Sequence, residues 1–147
     1  MTVRRTSVFP AGRQAVFQRL KKLETLQFIA APYASFEPLG DAASAWTAGG
    51  TTSYRFRLFG VIPFGTHTIH IVQFGQDIVS SRERNEHVPV WNHEIRLQPL
   101  DDAHTRYTDT VEIHAGWKTA FVWLWANAFY AHRQRKWIRM LKEEKTR

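Results

Sequence analysis

The sequence predicts an α+β fold, a curved antiparallel β-sheet gripping one long C-terminal helix. Three observations carry this. Five segments between Thr52 and Ala115 alternate apolar and polar residues or are rich in β-branched ones, and only short connections separate them. Nothing breaks a helix from about Lys118 to Glu144, a span of roughly 40 Å at 1.5 Å per residue, long enough to cross a sheet. The 147 residues are 44% hydrophobic and 14% aromatic, enough for one packed core and too apolar for a disordered chain.

Taken in order, residues 2–9 read as a strand ending at Pro10. A helical face follows, with Val16, Phe17, Leu20 and Leu23 on one side and Arg13, Gln14, Arg19, Lys21 and Lys22 on the other. Pro10 suits a helix entry because its missing N–H falls where no intrahelical acceptor exists. Pro32 and Pro38 bracket a strand over Tyr33–Leu39, and Gly40–Gly50 is turn-like with Trp46 inside it. Thr52–Phe59 alternates, with Tyr54, Phe56 and Leu58 on one face. Gly60–Gly65 reads as a connection, Thr66–Phe74 as a strand, Gly75–Asp77 as a turn and Ile78–Glu86 as a more polar strand. His87–Trp91 is expected to bend around Pro89. Asn92–Leu100 and Thr105–Ala115 are the last strands, joined by Asp101-Asp102. Clean alternation predicts a sheet covered on one face and wet on the other. No repeat or second domain is visible, so residues 1–147 are expected to form a single domain.

Composition narrows function. There are no cysteines, which excludes disulfides, thiolate nucleophiles and Cys-ligated zinc. The net charge of +7 divides unevenly: residues 1–30 carry +5, residues 31–131 carry −3 and residues 132–147 carry +5. Basic ends flank a mildly acidic body, a pattern that argues against nucleic acid as the partner. His67 and His70 are three apart on a strand and face opposite sides, and no His-Glu-x-x-His spacing occurs. Neither a metal site nor a cofactor is expected. Gly-x-Ser-x-Gly and phosphate-cradling glycine loops are absent. With no secretory h-region at the start and no run of membrane-spanning length, a cytoplasmic protein is expected.

Three pieces of sequence resemble a known superfamily. They are Val8-Phe9-Pro10 leading to Ala15-Val16-Phe17, Gly60-Val-Ile-Pro63 between two strands, and Val90-Trp91-Asn92-His93 followed by Thr105–Ile113. The third resembles the W-x-H … T-x-x-x-D-x-V-x-Y/I pattern of bacterial cyclase/dehydrase-like proteins. With the element order, these resemble the START-like or SRPBCC superfamily, whose helix-grip fold is that of the birch pollen allergen. Glu86-His87-Val88-Pro89 stands where a Gly-Pro-Phe bend is often seen. The resemblance implies two short helices after the first strand. It also implies a cavity between sheet and C-terminal helix that takes lipids, polyketides or other apolar small molecules. Both binders and enzymes use this fold, so it does not decide between them.

Polar residues on inward faces are the candidate chemistry. If Ile95 and Leu97 point inward, so does His93; if Tyr107, Val111 and Ile113 do, so does Asp109. Glu83 shares a face with Val79 and Ser81, and the resemblance implies that this face also looks inward. A buried Glu83, His93 and Asp109 group would have perturbed acidities and could shift a proton in an aldol-type cyclisation or dehydration, with His93 as general base and Asp109 orienting it. The plain alternative is a structural hydrogen-bonded cluster with Arg82 or Arg84. Expected cavity walls are Tyr54, Phe56, Ile69, Ile71, Ile95, Leu97, Tyr107, Val111, Phe121, Trp125 and Phe129, with Glu83, His93 and Asp109 fixing a polar end of the ligand.

The run Phe121–Tyr130 is apolar nearly all round. Phe121, Leu124 or Trp125, Ala128 and His132 are expected to meet the sheet. The face around Trp123 and Tyr130 is left to pack under the first helices, to form a homodimer contact or to touch an anionic membrane surface. Beyond it, Trp137, Ile138 and Leu141 form the apolar stripe of a basic helix end.

Overall fold

The computed structural model describes residues 1–40 and 47–145, with side chains through 144. Strand β1 (Thr2–Phe9) leads through helices α1 (Arg13–Leu20) and α2 (Leu23–Ala30) to β2 (Ala34–Pro38). Strands β3 (Thr51–Leu58), β4 (Ile62–Phe74), β5 (Ile78–Asn85), β6 (Val88–Asp101) and β7 (His104–His114) follow. A 3-10 turn (Gly116–Lys118) then starts the long helix α3 (Thr119–Lys145). Trp46 and most of the turn expected over Gly40–Gly50 lie outside the described residues.

The seven strands form one sheet in the order β1-β7-β6-β5-β4-β3-β2, every pair antiparallel. Helices α1 and α2 carry the chain from one edge to the other, and the meander then returns strand by strand to β1. Register shifts within the β3/β4, β4/β5, β5/β6 and β6/β7 pairings add local twist and bend, and the sheet curls around α3. Helix α3 lies against β1, β7 and α2. This is the helix-grip α+β fold.

Alternation located the inward faces well. Val3, Phe9, Tyr54, Phe56, Ile69, Ile71, Ile95, Leu97, Tyr107, Val111 and Ile113 are all buried. Two apolar clusters fill the grip. One gathers Trp91, Phe129 and Tyr130 with β2, β3 and β4. The other packs Phe9, Phe17, Tyr107, Trp137 and Leu141. Trp137 is fully buried, its ring 5.4 Å from that of Phe9, which stacks at 4.4 Å on Tyr107.

Three local expectations are corrected. The β3–β4 connection is only Phe59-Gly60-Val61, with Phe59 and Gly60 at positive φ (55° and 74°) and the Val61 N–H bonded to the Leu58 carbonyl at 3.2 Å. Positive φ at both central residues of the Leu58–Val61 turn is the conformation that matches strand twist. Ile62 to Gly65 therefore belong to β4, with Pro63 paired to Arg57 at the β3/β4 register shift, a place where a strand tolerates proline. Likewise His87–Trp91 does not bend at Pro89. The turn is Glu86-His87, held by the Asn85 side chain accepting the His87 N–H at 2.9 Å, and β6 is already extended at Val88. On α3 the inward face differs from the expected one. Ala126, Phe129, Tyr130, Arg133, Gln134, Trp137 and Leu141 are buried, whereas Phe121 and Leu124 are 70% and 61% exposed. A segment apolar all round offers no stripe to choose from, and the two polar members of the true face hid it.

Gly12 caps α1 where the β6–β7 hairpin closes over it. A Cβ there would meet the Asp102 carbonyl oxygen at 2.6 Å, a backbone atom that cannot step aside. Gly12→Ala is predicted to cost about 1–3 kcal/mol by urea denaturation. Gly75→Ala, whose Cβ would find only an ordinary contact at 3.7 Å, serves as the near-neutral control. Trp137→Ala is predicted to cost about 3–5 kcal/mol in the same assay.

Candidate functional site

A cavity of about 420 Å³ lies between the concave face of the sheet and α3. Its walls are mostly apolar. Phe36, Phe56, Ile69, Ile71 and Phe74 come from β2, β3 and β4, Trp91 and Ile95 from β6, and Val122, Trp125 and Phe129 from α3. Trp117 and Phe121, 82% and 70% exposed, stand at one end of it beside Lys118.

One wall is polar, and the sheet register builds it. Ser81 pairs with both Ile71 and His93, and Glu83 pairs with Ile69 and Trp91. His67 on β4, Glu83 on β5 and His93 on β6 thus share the inward face as diagonal neighbours. His93 in turn pairs with Val111 on β7, which sets Asp109 beside it. Glu83 Oε1 lies 2.8 Å from His67 Nε2, and Ser81 donates to Oε2 at 2.6 Å. His93 has Nδ1 3.6 Å from the same Oε2 and Nε2 2.7 Å from Asp109 Oδ1. Gln134 on α3 donates to Asp109 Oδ2 at 3.0 Å and accepts from Ser7 at 2.6 Å. The chain of contacts crosses four adjacent strands and ends on the helix.

Burial pushes up the pKa of Glu83, but the hydrogen bonds of His67 and His93 outweigh it and hold the carboxyl below the usual carboxylate range. Burial lowers that of His93, but Asp109 and Glu83 outweigh it, so the imidazole keeps its proton more strongly than usual. Tyr130 is pushed up by burial. Its oxygen accepts from Trp91 Nε1 at 3.1 Å.

Nine of the expected wall residues line the cavity: Phe56, Ile69, Ile71, Glu83, His93, Ile95, Phe121, Trp125 and Phe129. Five do not. Tyr54 and Val111 are buried in the first apolar cluster, and Leu97 and Tyr107 in the second. Asp109 stands behind His93, covered by Gln134. Inward orientation was correct for all five, but packed neighbours fill the space in front of them. Neither Arg82 nor Arg84 joins the cluster, since both are exposed. Sequence reasoning missed His67, Trp91, Tyr130 and Arg133. The two-residue period through Ile69 and Ile71 marks His67, whereas Trp91 was assigned to a bend and the two helical residues to outer faces. Among the described residues, no group of three or more His, Asp or Glu is arranged to hold a metal ion. Among the described residues, no helix is long and apolar enough to cross a membrane.

Solved structures share this architecture. A START superfamily protein from Mycobacterium smegmatis superposes with a TM-score of 0.73 at 11% identity, covering 97% of each chain. The Zhui aromatase/cyclase from Streptomyces sp. R1128 gives 0.65 at 15%, covering 98% of this chain and 92% of its own. A norcoclaurine synthase point mutant from Thalictrum flavum, in complex with a transition-state analogue, gives 0.70 at 10%, covering 99% and 96%. At these identities the likeness is one of fold, and it is the START-like, SRPBCC helix-grip fold. No curated protein sequence matches the chain. The family model described as Domain of unknown function (DUF8410) matches residues 8–141, so the chain belongs to that family.

Proposed function

We propose that the chain binds an apolar or amphipathic small molecule in the cavity between the sheet and α3. The observation that carries this is the cavity itself, about 420 Å³ of apolar and aromatic wall facing one polar cluster. That size and that composition are typical of small-molecule sites. The fold neighbours, among them an aromatase/cyclase and a synthase holding a transition-state analogue, support the same class of ligand. Phe56, Ile69, Ile71, Ile95, Trp125 and Phe129 would hold the body of the ligand, and Glu83 and His93 would face its polar end.

A second reading is an acid–base enzyme of the cyclase or dehydratase kind. The 2.7 Å contact between His93 and Asp109 favours it. The protonation states limit it. His93 turns both nitrogens toward carboxylates that hold its proton more strongly than usual, which favours a role as proton donor over one as acceptor. Glu83 is a weakened base. Binding is therefore the better account, and within the enzymatic reading we favour His93 as acid, oriented by Asp109, over His93 as general base. Turnover of a poly-β-ketone substrate by wild type and its loss in His93→Ala would turn the choice toward the enzyme.

The neutral fluorophore N-phenyl-1-naphthylamine is predicted to bind wild type with enhanced emission. Ile69→Trp, which fills the cavity, should weaken it at least about tenfold while keeping a cooperative melt. Failure of the wild type to take up the fluorophore would overturn the binding proposal.

The network also predicts a pH profile. Glu83 sits below its ordinary 4.5, so its contribution to stability is present above pH 4.5 and is lost as pH falls through the lower folded value. His93 sits above its ordinary 6.5, so its contribution is complete below pH 6.5 and is lost as pH rises through the raised value. Urea melts should therefore show the network contributing most between pH 4.5 and 6.5. The decline on the alkaline side should flatten in His93→Gln.

A further inference from the structure

Arg133 is a buried cation with no acceptor. It lies on the inward face of α3, 6% exposed, and lines the cavity. Among the described residues it makes no hydrogen bond or ion pair, and its Nε is buried without a partner. Its direct contacts are aromatic faces: the guanidinium carbon is 5.0 Å from the ring of Tyr130 and 5.6 Å from that of Phe129, both one turn back on the same helix. Such faces attract a cation but leave its N–H groups unused.

The neighbouring carboxylates Asp109 and Glu83 attract it through space but accept none of its N–H groups. Both oxygens of Glu83 are taken by His67 and Ser81, and both of Asp109 by His93 and Gln134. A guanidinium does not deprotonate in proteins and presents five donors in a planar fork. Buried charges ordinarily find partners, so this one points to a partner that arrives with the ligand. Two coplanar oxygens match the fork.

We propose that the ligand is an amphipathic carboxylic acid, with its carboxylate on the Arg133 guanidinium and its apolar body among the aromatic walls nearer Trp125 and Phe121. This rests on the cavity-binding proposal above and adds the chemistry of the head group.

The test is competition against bound N-phenyl-1-naphthylamine by dodecanoic acid, dodecan-1-ol and dodecylamine, each below its micellar concentration. The acid is expected to displace the fluorophore at a concentration about tenfold to a hundredfold lower than the alcohol, the range for a desolvated charge-assisted hydrogen bond. The amine should be weakest. Arg133→Met, close in length and apolar, should retain the fluorophore and lose the preference for acid over alcohol. Arg133→Lys keeps the charge without the fork and should fall between. Equal displacement by acid and alcohol in wild type overturns the head-group assignment, and so does a preference that survives in Arg133→Met. Calorimetric titration with dodecanoate alone separates this failure from that of the parent proposal. Uptake of the acid that ignores Arg133 overturns the head-group assignment only, whereas no uptake of acid, alcohol or fluorophore overturns the cavity reading as well.

Discussion

A carboxylate taken out of water must be surrounded by donors, and Glu83, its side chain 10% exposed, imposes that demand on the whole sheet. Its partners come from β4, its own strand and β6, and His93 passes the demand on to Asp109 on β7 and then to Gln134 on α3. Each contact requires one strand register. A slip of a single residue would turn every member to the solvent face and leave buried charge unpaired, a loss of about 3–5 kcal/mol for each broken pair. The polar wall is thus a registration device as well as the candidate site, which is why it can be fully bonded within the protein and still line a cavity.

Much of this was legible because a strand has a period of two. Once Ile95 and Val111 are taken as inward, His93 and Asp109 follow; the inward face of Val79 and Glu83 came from the family resemblance, and the structure brings the three polar residues together. Depth was not legible. Tyr54, Leu97, Tyr107 and Val111 point inward as periodicity requires, yet whether a side chain meets empty space depends on neighbours far away in sequence. Tyr107 is sealed by Phe9 from β1 and Trp137 from α3, which no local pattern reports. Turns misled for a different reason. Pro63, Gly65 and Pro89 are residues of loops in general, but here they sit in strands, while the hairpin turn places Phe59 at positive φ, a position where Asn, Asp or Gly is the usual signal.

The basic ends are the clearest case of composition acquiring meaning from the fold. Taken as solvated helix faces, they would be interchangeable. In the structure they have separate tasks. Arg13 pairs with Asp77 and Arg19 with Glu144. Lys136 lies 4.1 Å over the ring of Phe28, tying α3 to α2. His132, counted toward the sheet-facing side, instead meets the Ala31 carbonyl at 2.6 Å and stacks on Tyr33 at the end of α2. These contacts set the position of α3 along the sheet, and with it which of its residues face the cavity.

Arg133 is the exception among them. Its neighbours Arg135 and Lys136 stay at the surface or cross an aromatic ring, but two residues before Arg135 the helix turns a permanent charge inward beside the hydrogen-bonded carboxylates of Glu83 and Asp109. A core selected for stability alone would favour an apolar residue there, since a buried ion without a hydrogen-bonding partner is among the more costly things a fold can contain. The space between Arg133, the aromatic walls and the exposed rim at Trp117 and Phe121 is also unfilled by side chains. An unfilled apolar space and an unpaired charge at its wall each oppose folding when considered alone. A single molecule with an apolar body and an oxygen-bearing end relieves both, so the two features are best understood as halves of one binding site.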